Sequence, residues 1–166
     1  MFKEINIRDL KKSPVSMIAD EWALLTAGDE KKFNTMTVSW GAVGELWGKD
    51  VVICFVRPQR YTYEFLENSD TFTLTFFGGE YKKELGFCGS KSGRDFDKVK
   101  ETGFVPMKTG DGISFEQAET IIVCKKIAFQ DMSPKGFLSD DIMSNYANND
   151  FHRTYVGAIE RVLVKE

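Results

Sequence analysis

The chain has 166 residues, a hydrophobic fraction of 42%, a charged fraction of 28% and a formal net charge of −3. That length suits a single domain, residues 1–166, able to bury a sizeable core. The acidic balance argues against a general nucleic-acid binder, which carries a basic surplus, and no apolar run reaches the roughly 20 residues a membrane-spanning helix needs.

The first residues, Met1-Phe2-Lys3-Glu4-Ile5-Asn6, have no signal-peptide character. Trp22–Ala27 reads as a strand, ended by the polar turn Gly28–Lys32. Asn34–Trp40 alternates, with Thr35, Thr37 and Ser39 on one side and Met36, Val38 and Trp40 on the other. A period of two is the mark of a half-buried strand. Its hydroxyl face is either solvent-facing, since threonine fits a pleated surface, or a polar wall for a flat, heteroatom-rich ligand.

Val51–Val56 is a short β-branched run, read as a buried strand. It leads into Arg57-Pro58-Gln59-Arg60-Tyr61-Thr62, where Pro58 suits the first position of a helix because its missing N–H costs nothing there. A helix over Gln59–Asn68 then places two arginines and a threonine hydroxyl at its start. Free N–H groups and the helix dipole attract a phosphate to such a place; a solvated basic turn is the plainer alternative. Phe72–Phe76 alternates as a further strand, and Glu80–Phe87 reads as a helix.

Cys88–Asp95 forms a second basic loop. It lacks the spacing of a phosphate-binding P-loop, yet it offers glycines, Ser90, Ser92, Lys91 and Arg94, with a helix expected over Arg94–Thr102 and stopped by Gly103. Later strands are expected at Phe104–Lys108, Ala118–Gln130 and Tyr155–Lys165. Cys54, Cys88 and Cys124 are scattered, with neither ligand spacing nor an even disulfide set, so a reduced, cytoplasmic, metal-free chain is expected. Many strands and few short helices point to a mainly β barrel or sandwich. A doubly wound sheet is excluded because helices do not alternate with strands.

Three motifs in order, Asn34-Thr35-Met36-Thr37-Val38-Ser39-Trp40-Gly41, Phe55-Val56-Arg57-Pro58-Gln59-Arg60-Tyr61-Thr62 and Lys91-Ser92-Gly93-Arg94-Asp95, resemble the flavin reductase-like family, especially its flavoredoxin-type members. The likeness continues to His152-Arg153-x-Tyr155-x-Gly157. It departs at Asp50, where proline is usual, and at Ala158, where glutamate is frequent.

The resemblance implies an FMN-binding split β-barrel of Greek-key type with a few short peripheral helices. It also implies a homodimer with flavin near the subunit interface, which the abundance of aromatics (13%, including 14 Phe) suits. By position, Thr35, Met36, Thr37, Val38, Ser39 and Trp40 would meet the isoalloxazine ring. Arg57, Gln59, Arg60, Tyr61 and Thr62, with Lys91, Ser92, Gly93 and Arg94, would hold the ribityl chain and phosphate, with Arg57 and Arg94 both on the phosphate. His152, the one histidine, is singled out near the ring as a catalytic candidate; a histidine hydrogen-bonded at a strand start is the structural alternative. Trp40 and Phe76-Phe77 would border the open ring face; the plainer alternative makes Trp40 and Phe76 core residues. The implied activity is an NAD(P)H-dependent flavin or acceptor reductase, with hydride passing from nicotinamide to flavin N5 and on to a small-molecule acceptor or a redox partner protein. The alternatives are a flavoredoxin-like electron carrier that makes no use of NAD(P)H and a non-catalytic phosphate-ligand module.

Overall fold

The computed structural model describes residues 1–166. Ten strands run in chain order: β1 (Phe2–Ile5), β2 (Ala23–Gly28), β3 (Phe33–Val38), β4 (Gly41–Leu46), β5 (Lys49–Val56), β6 (Thr71–Phe76), β7 (Pro106–Thr109), β8 (Gly112–Phe115), β9 (Thr120–Asp131) and β10 (Arg153–Lys165). The helices are short: α1 (Pro14–Ser16), α2 (Tyr61–Glu67), α3 (Lys82–Ser90) and α4 (Lys98–Thr102). The main sheet follows the order β3-β2-β6-β9-β10-β5-β4, with β1 added to β10 and β7-β8 forming a separate hairpin. All pairings are antiparallel.

The sheet curls around one core. Its largest apolar cluster joins Met36 and Val38 of β3 to Val52, Cys54 and Val56 of β5, although these strands lie far apart in the sheet order. β3 and β4 do not pair, so the barrel stays open along one seam. β10 makes this possible: it pairs with β9 along its length, while its other edge takes β5 over Arg153–Ala158 and β1 over Val162–Lys165. Two register shifts on β10 bend it between these partners. Gly157 lies at one of them, where a Cβ would come within 2.5 Å of Phe72 Cζ and 2.7 Å of Cys124 Cβ. The family's mainly β split-barrel architecture is therefore the observed one.

The outer face of β2–β3 is covered rather than solvated. Leu24 packs there against Leu85 and Cys88 of α3 and against Phe77, Phe104 and Phe115. The strands expected from the sequence appear with ends moved by one or a few residues. β1, β4 and β8 were not anticipated, nor was the 3₁₀ segment Asp140–Tyr146. β4 was hidden by Gly41 and Gly44, and it turns into β5 through Trp47-Gly48, both at positive φ (56° and 70°). That is the tight hairpin form whose twist matches the strands.

Two helix expectations need correction. Pro58 does not open a helix: Arg57–Arg60 closes a turn (Arg60 N–H to Arg57 O, 3.0 Å) and α2 begins at Tyr61. The helix expected from Arg94 starts only at Lys98, where the Asp97 side chain caps it, and it ends at Gly103 as expected. No helix is long and apolar enough to cross a membrane.

Candidate functional site

The two basic loops do meet. Gln59–Thr62, entering α2, and Ser90–Gly93, leaving α3, close with Asn34 and Lys98 around a cavity of about 190 Å³. Each wall is fixed by an identifiable bond. Buried Asn34 donates to Thr62 Oγ1 at 2.8 Å, and Arg60 donates to Gly89 O at 2.7 Å. Lys98, only 5% exposed, donates to Thr35 O at 2.7 Å and Cys88 O at 2.8 Å. Gly93 must be glycine, because a Cβ there would overlap Asn34 Oδ1.

These bonds revise the expectation that both loops open helices. The second loop follows the end of α3, whose carbonyls carry the negative end of the dipole. Arg60 and Lys98 occupy those carbonyls. Neither cation is paired with a carboxylate. Burial, helped by the neighbouring Arg60 charge, pulls the Lys98 ammonium down to about 8. Burial and then Arg57 likewise lower the Arg60 guanidinium. The cavity thus holds positive charge without a countercharge, the donor chemistry that suits an anion.

At the other end of β3 the character changes. Ser39, Trp40, Gly41 and Phe55 face Val15, Ile18, Ala19 and Met132 across an apolar cavity of about 420 Å³. Trp40 is 50% exposed, and its ring centre lies 5.5 Å from that of His152. His152 is buried, shares a 2.8 Å hydrogen bond between Nδ1 and the Tyr146 hydroxyl, and is pushed down to about 4 by burial and then by the Arg57 charge. It is therefore neutral at pH 7. From Asn34 to Ser39 the strand advances roughly 17 Å, at ~3.3 Å per residue.

The remaining expected residues fall into groups. Met36 and Val38 point into the barrel core. Thr35 donates to Leu25 O (3.3 Å) and accepts from Thr26, while Thr37 donates to Leu85 O (2.5 Å). The hydroxyl face is thus closed by internal partners and α3, and only Ser39 stays exposed. Tyr61, Thr62, Lys91, Ser92 and Gly93 line the small cavity with Gln59 and Arg60.

Arg57 does not reach that cavity. It pairs with Asp150, donates to Asn145 O at 2.8 Å and lies over Tyr146, on the His152 side. Gln59 Nε2 also donates to Asp150, at 2.7 Å. Arg94 pairs with Glu64 and lies over the Tyr61 ring, outside the small cavity. Phe76 is in the barrel core and Phe77 stacks on Phe104 at 4.7 Å, so neither borders the apolar cavity. Sequence reading missed Lys98, Phe55, Tyr146 and Asp150. Lys98 follows the second loop directly, but its burial leaves no local pattern.

The model of the flavin reductase like domain matches residues 15–166. The chain belongs to that family. A search of curated proteins finds no match. Solved structures share the fold at low identity. Flavoredoxin from Desulfovibrio vulgaris (Miyazaki F) is 20% identical with a TM-score of 0.69, over 95% of this chain and 78% of its own. Flavoredoxin from Methanosarcina acetivorans is 19% identical with a TM-score of 0.68, over 88% and 69%. An NADH:FAD oxidoreductase from Streptomyces globisporus, solved with NAD and FAD fragments, is 13% identical with a TM-score of 0.65, over 87% and 74%.

Proposed function

We propose that the chain binds FMN along β3 and acts as an NAD(P)H-dependent flavin or acceptor reductase. One observation carries the reading: an unneutralised cationic cavity and an apolar, aromatic cavity lie at opposite ends of one strand. That polarity fits a flavin mononucleotide, whose phosphate tail and flat ring need opposite surroundings. When bound, the flavin supplies the hydride and electron transfer.

The chain supplies binding and orientation. Lys98 and Arg60 neutralise the phosphate, while Asn34, Thr62 and Ser92 offer polar atoms beside it. Trp40, Phe55 and Met132 keep the ring end dry, which protects a transferred hydride from water. His152, neutral and held by Tyr146, sits behind Trp40 where it can orient a nicotinamide carboxamide without adding charge.

Anaerobic addition of NADH and NADPH to the FMN-loaded protein tests this. Rapid bleaching supports the reductase, and bleaching that is slower in His152→Ala, with FMN retained, supports the histidine's role. If that variant is reduced at the parent rate, His152 is structural. An electron-carrier reading is favoured by the half-exposed Trp40 at the cavity mouth, where a redox partner protein can approach. In that case only a protein donor bleaches the flavin. A chain that takes up no FMN defeats both readings.

Assembly belongs to the same proposal. Trp47 is 64% exposed at the β4–β5 turn and Phe129 58% exposed on β9, two separate apolar positions of the kind that a second copy would cover. Light scattering should report a dimer; a monomer that still holds FMN tightly contradicts it.

A further inference from the structure

Lys98 is the only buried lysine of the chain. It nevertheless lines two cavities, the small cationic one and an adjoining one of about 580 Å³ through which small molecules reach it. Its nitrogen donates to two carbonyls, Thr35 O at 2.7 Å and Cys88 O at 2.8 Å, and pairs with no carboxylate. A neutral amine has two N–H bonds and one lone pair. These two acceptors take both hydrogens, and the lone pair is left for the direction that remains, toward the cavities.

Burial supplies the reactivity to go with this geometry. With the ammonium pulled down to about 8, about a quarter of Lys98 is free amine at pH 7.5, against roughly a thousandth of an ordinary lysine. An amine desolvated beside another cation is the usual form of a nucleophilic lysine. The cavity also selects what the amine meets. No carboxylate lines it, and Arg60, which gives N–H groups to Gly89 O and Cys88 O, keeps the rest of its guanidinium for an incoming anion. At about 190 Å³ the space lies below the roughly 300–1,000 Å³ of ring-sized ligand pockets, so the reagent must be small. A phosphate bearing a two- or three-carbon acyl group meets all of these conditions.

We propose that Lys98 is an acylation site for small acyl phosphates: Arg60 holds the phosphate, the Lys98 nitrogen attacks the acyl carbon, and the resulting amide closes the cavity to the flavin phosphate. The N–C bond forms as the C–O bond to phosphate breaks. Inorganic phosphate leaves, solvent takes the amine proton, and nothing is oxidised or reduced. The amide is uncharged, so one of the two unneutralised cations is lost, and its acyl group occupies space in the cavity. The modification stands on the cavity itself, whereas its effect on cofactor loading rests on the flavin reading above.

Acetyl phosphate added to the apo chain at pH 7.5 is the test, with acetylation followed residue by residue by peptide mass spectrometry. Lys91, on the exposed rim of the same cavity, and Lys3, exposed on β1, are internal controls. Lys98 should be acetylated at least roughly tenfold faster than either, although it is the most buried of the three. Excess inorganic phosphate should protect Lys98 and leave Lys3 unchanged. Acetic anhydride, which carries no phosphate, should show no such protection. Arg60→Ala should slow the reaction at Lys98 by roughly tenfold or more, and phosphate protection decides the matter should that variant fold poorly. FMN affinity should fall roughly ten- to a hundredfold in proportion to acetylation at Lys98. Acetylation of Lys98 no faster than of Lys91, or unprotected by phosphate, overturns the site. Acetylated Lys98 with FMN affinity unchanged overturns the closure of the cavity. A chain that takes up no FMN overturns the flavin reading, while phosphate-protected acetylation of Lys98 in that same chain upholds the site.

Discussion

Replacing Lys98 by methionine removes the buried charge at nearly constant volume, and its effect should depend on pH. In the folded chain the ammonium is pulled from its ordinary 10.5 to about 8, chiefly by burial. At ~1.4 kcal/mol per pH unit the gap corresponds to roughly 3 kcal/mol. Solvent reaching the group through its two cavities reduces this to about 2 kcal/mol. Between pH 8 and 10.5 the unfolded chain keeps a proton that the folded chain has released, so the stability attributable to this group rises with pH. Below pH 8 the parent carries the full penalty but keeps two carbonyl bonds, each worth ~1 kcal/mol net. In the apo state Lys98→Met should therefore lie close to the parent at pH 7 and about 1 kcal/mol below it near pH 9.5. Urea unfolding of both proteins at both pH values measures this. The difference between them is the useful quantity, because Cys54 and Cys124, whose thiols burial pushes up, lower the stability of both alike above about pH 9. A difference that stays the same at the two pH values refutes the account of Lys98 as a buried, unneutralised charge.

Arg60→Ala should weaken FMN binding by roughly ten- to a hundredfold, and Arg57→Ala by far less, since only Arg60 lines the small cavity; FMN titration of the two variants ranks them. Gly93→Ala should cost about 1–3 kcal/mol through the clash with Asn34 and should lower FMN affinity with it, read by urea unfolding and titration. His152 is held neutral down to about 4 while its unfolded counterpart protonates near 6.5, so acidification through that window binds protons to the unfolded state first and destabilises the fold. Between pH 7 and pH 5 the parent should lose about 1 kcal/mol more than His152→Gln after allowance for screening, and parallel acid profiles would contradict the burial of a neutral ring.

The fold was legible where the sequence pattern is local. Strand β3 announced itself by period two, β5 by its β-branched run and the end of α4 by Gly103. β4 was lost because two glycines dilute its apolar signal, and α2 was misplaced because Pro58 serves a turn as well as it serves a helix start. The loops were also legible as a pair, and they do close on one cavity. What could not be read was direction. Arg57 and Arg94 look like phosphate ligands in sequence, but Asp150 and Glu64, distant in the chain, claim them. Thr35 and Thr37 look like an open polar face, but Leu25 and Leu85 carbonyls take their hydroxyls. Lys98 looks like an ordinary surface lysine, and only the approach of β3 and α3 buries it.

The partners of the four cations near the loops separate their roles. A carboxylate neutralises the charge it binds; a carbonyl holds a cation by its dipole and leaves the net charge in place. Arg57 and Arg94 have carboxylate partners, so each is largely spent on tying one segment to another. Arg60 and Lys98 are held by Gly89, Cys88 and Thr35 carbonyls, two of them from the last turn of α3. Helix ends are good anchors for cations because several carbonyls there lack partners within the helix. The arrangement fixes two positive groups in position before any ligand arrives, which spares the ligand the entropy of ordering them. It also leaves the apo chain with a standing electrostatic cost at neutral pH. An anion that enters the cavity removes that cost, so ligand binding and folding stability are coupled through the same two side chains.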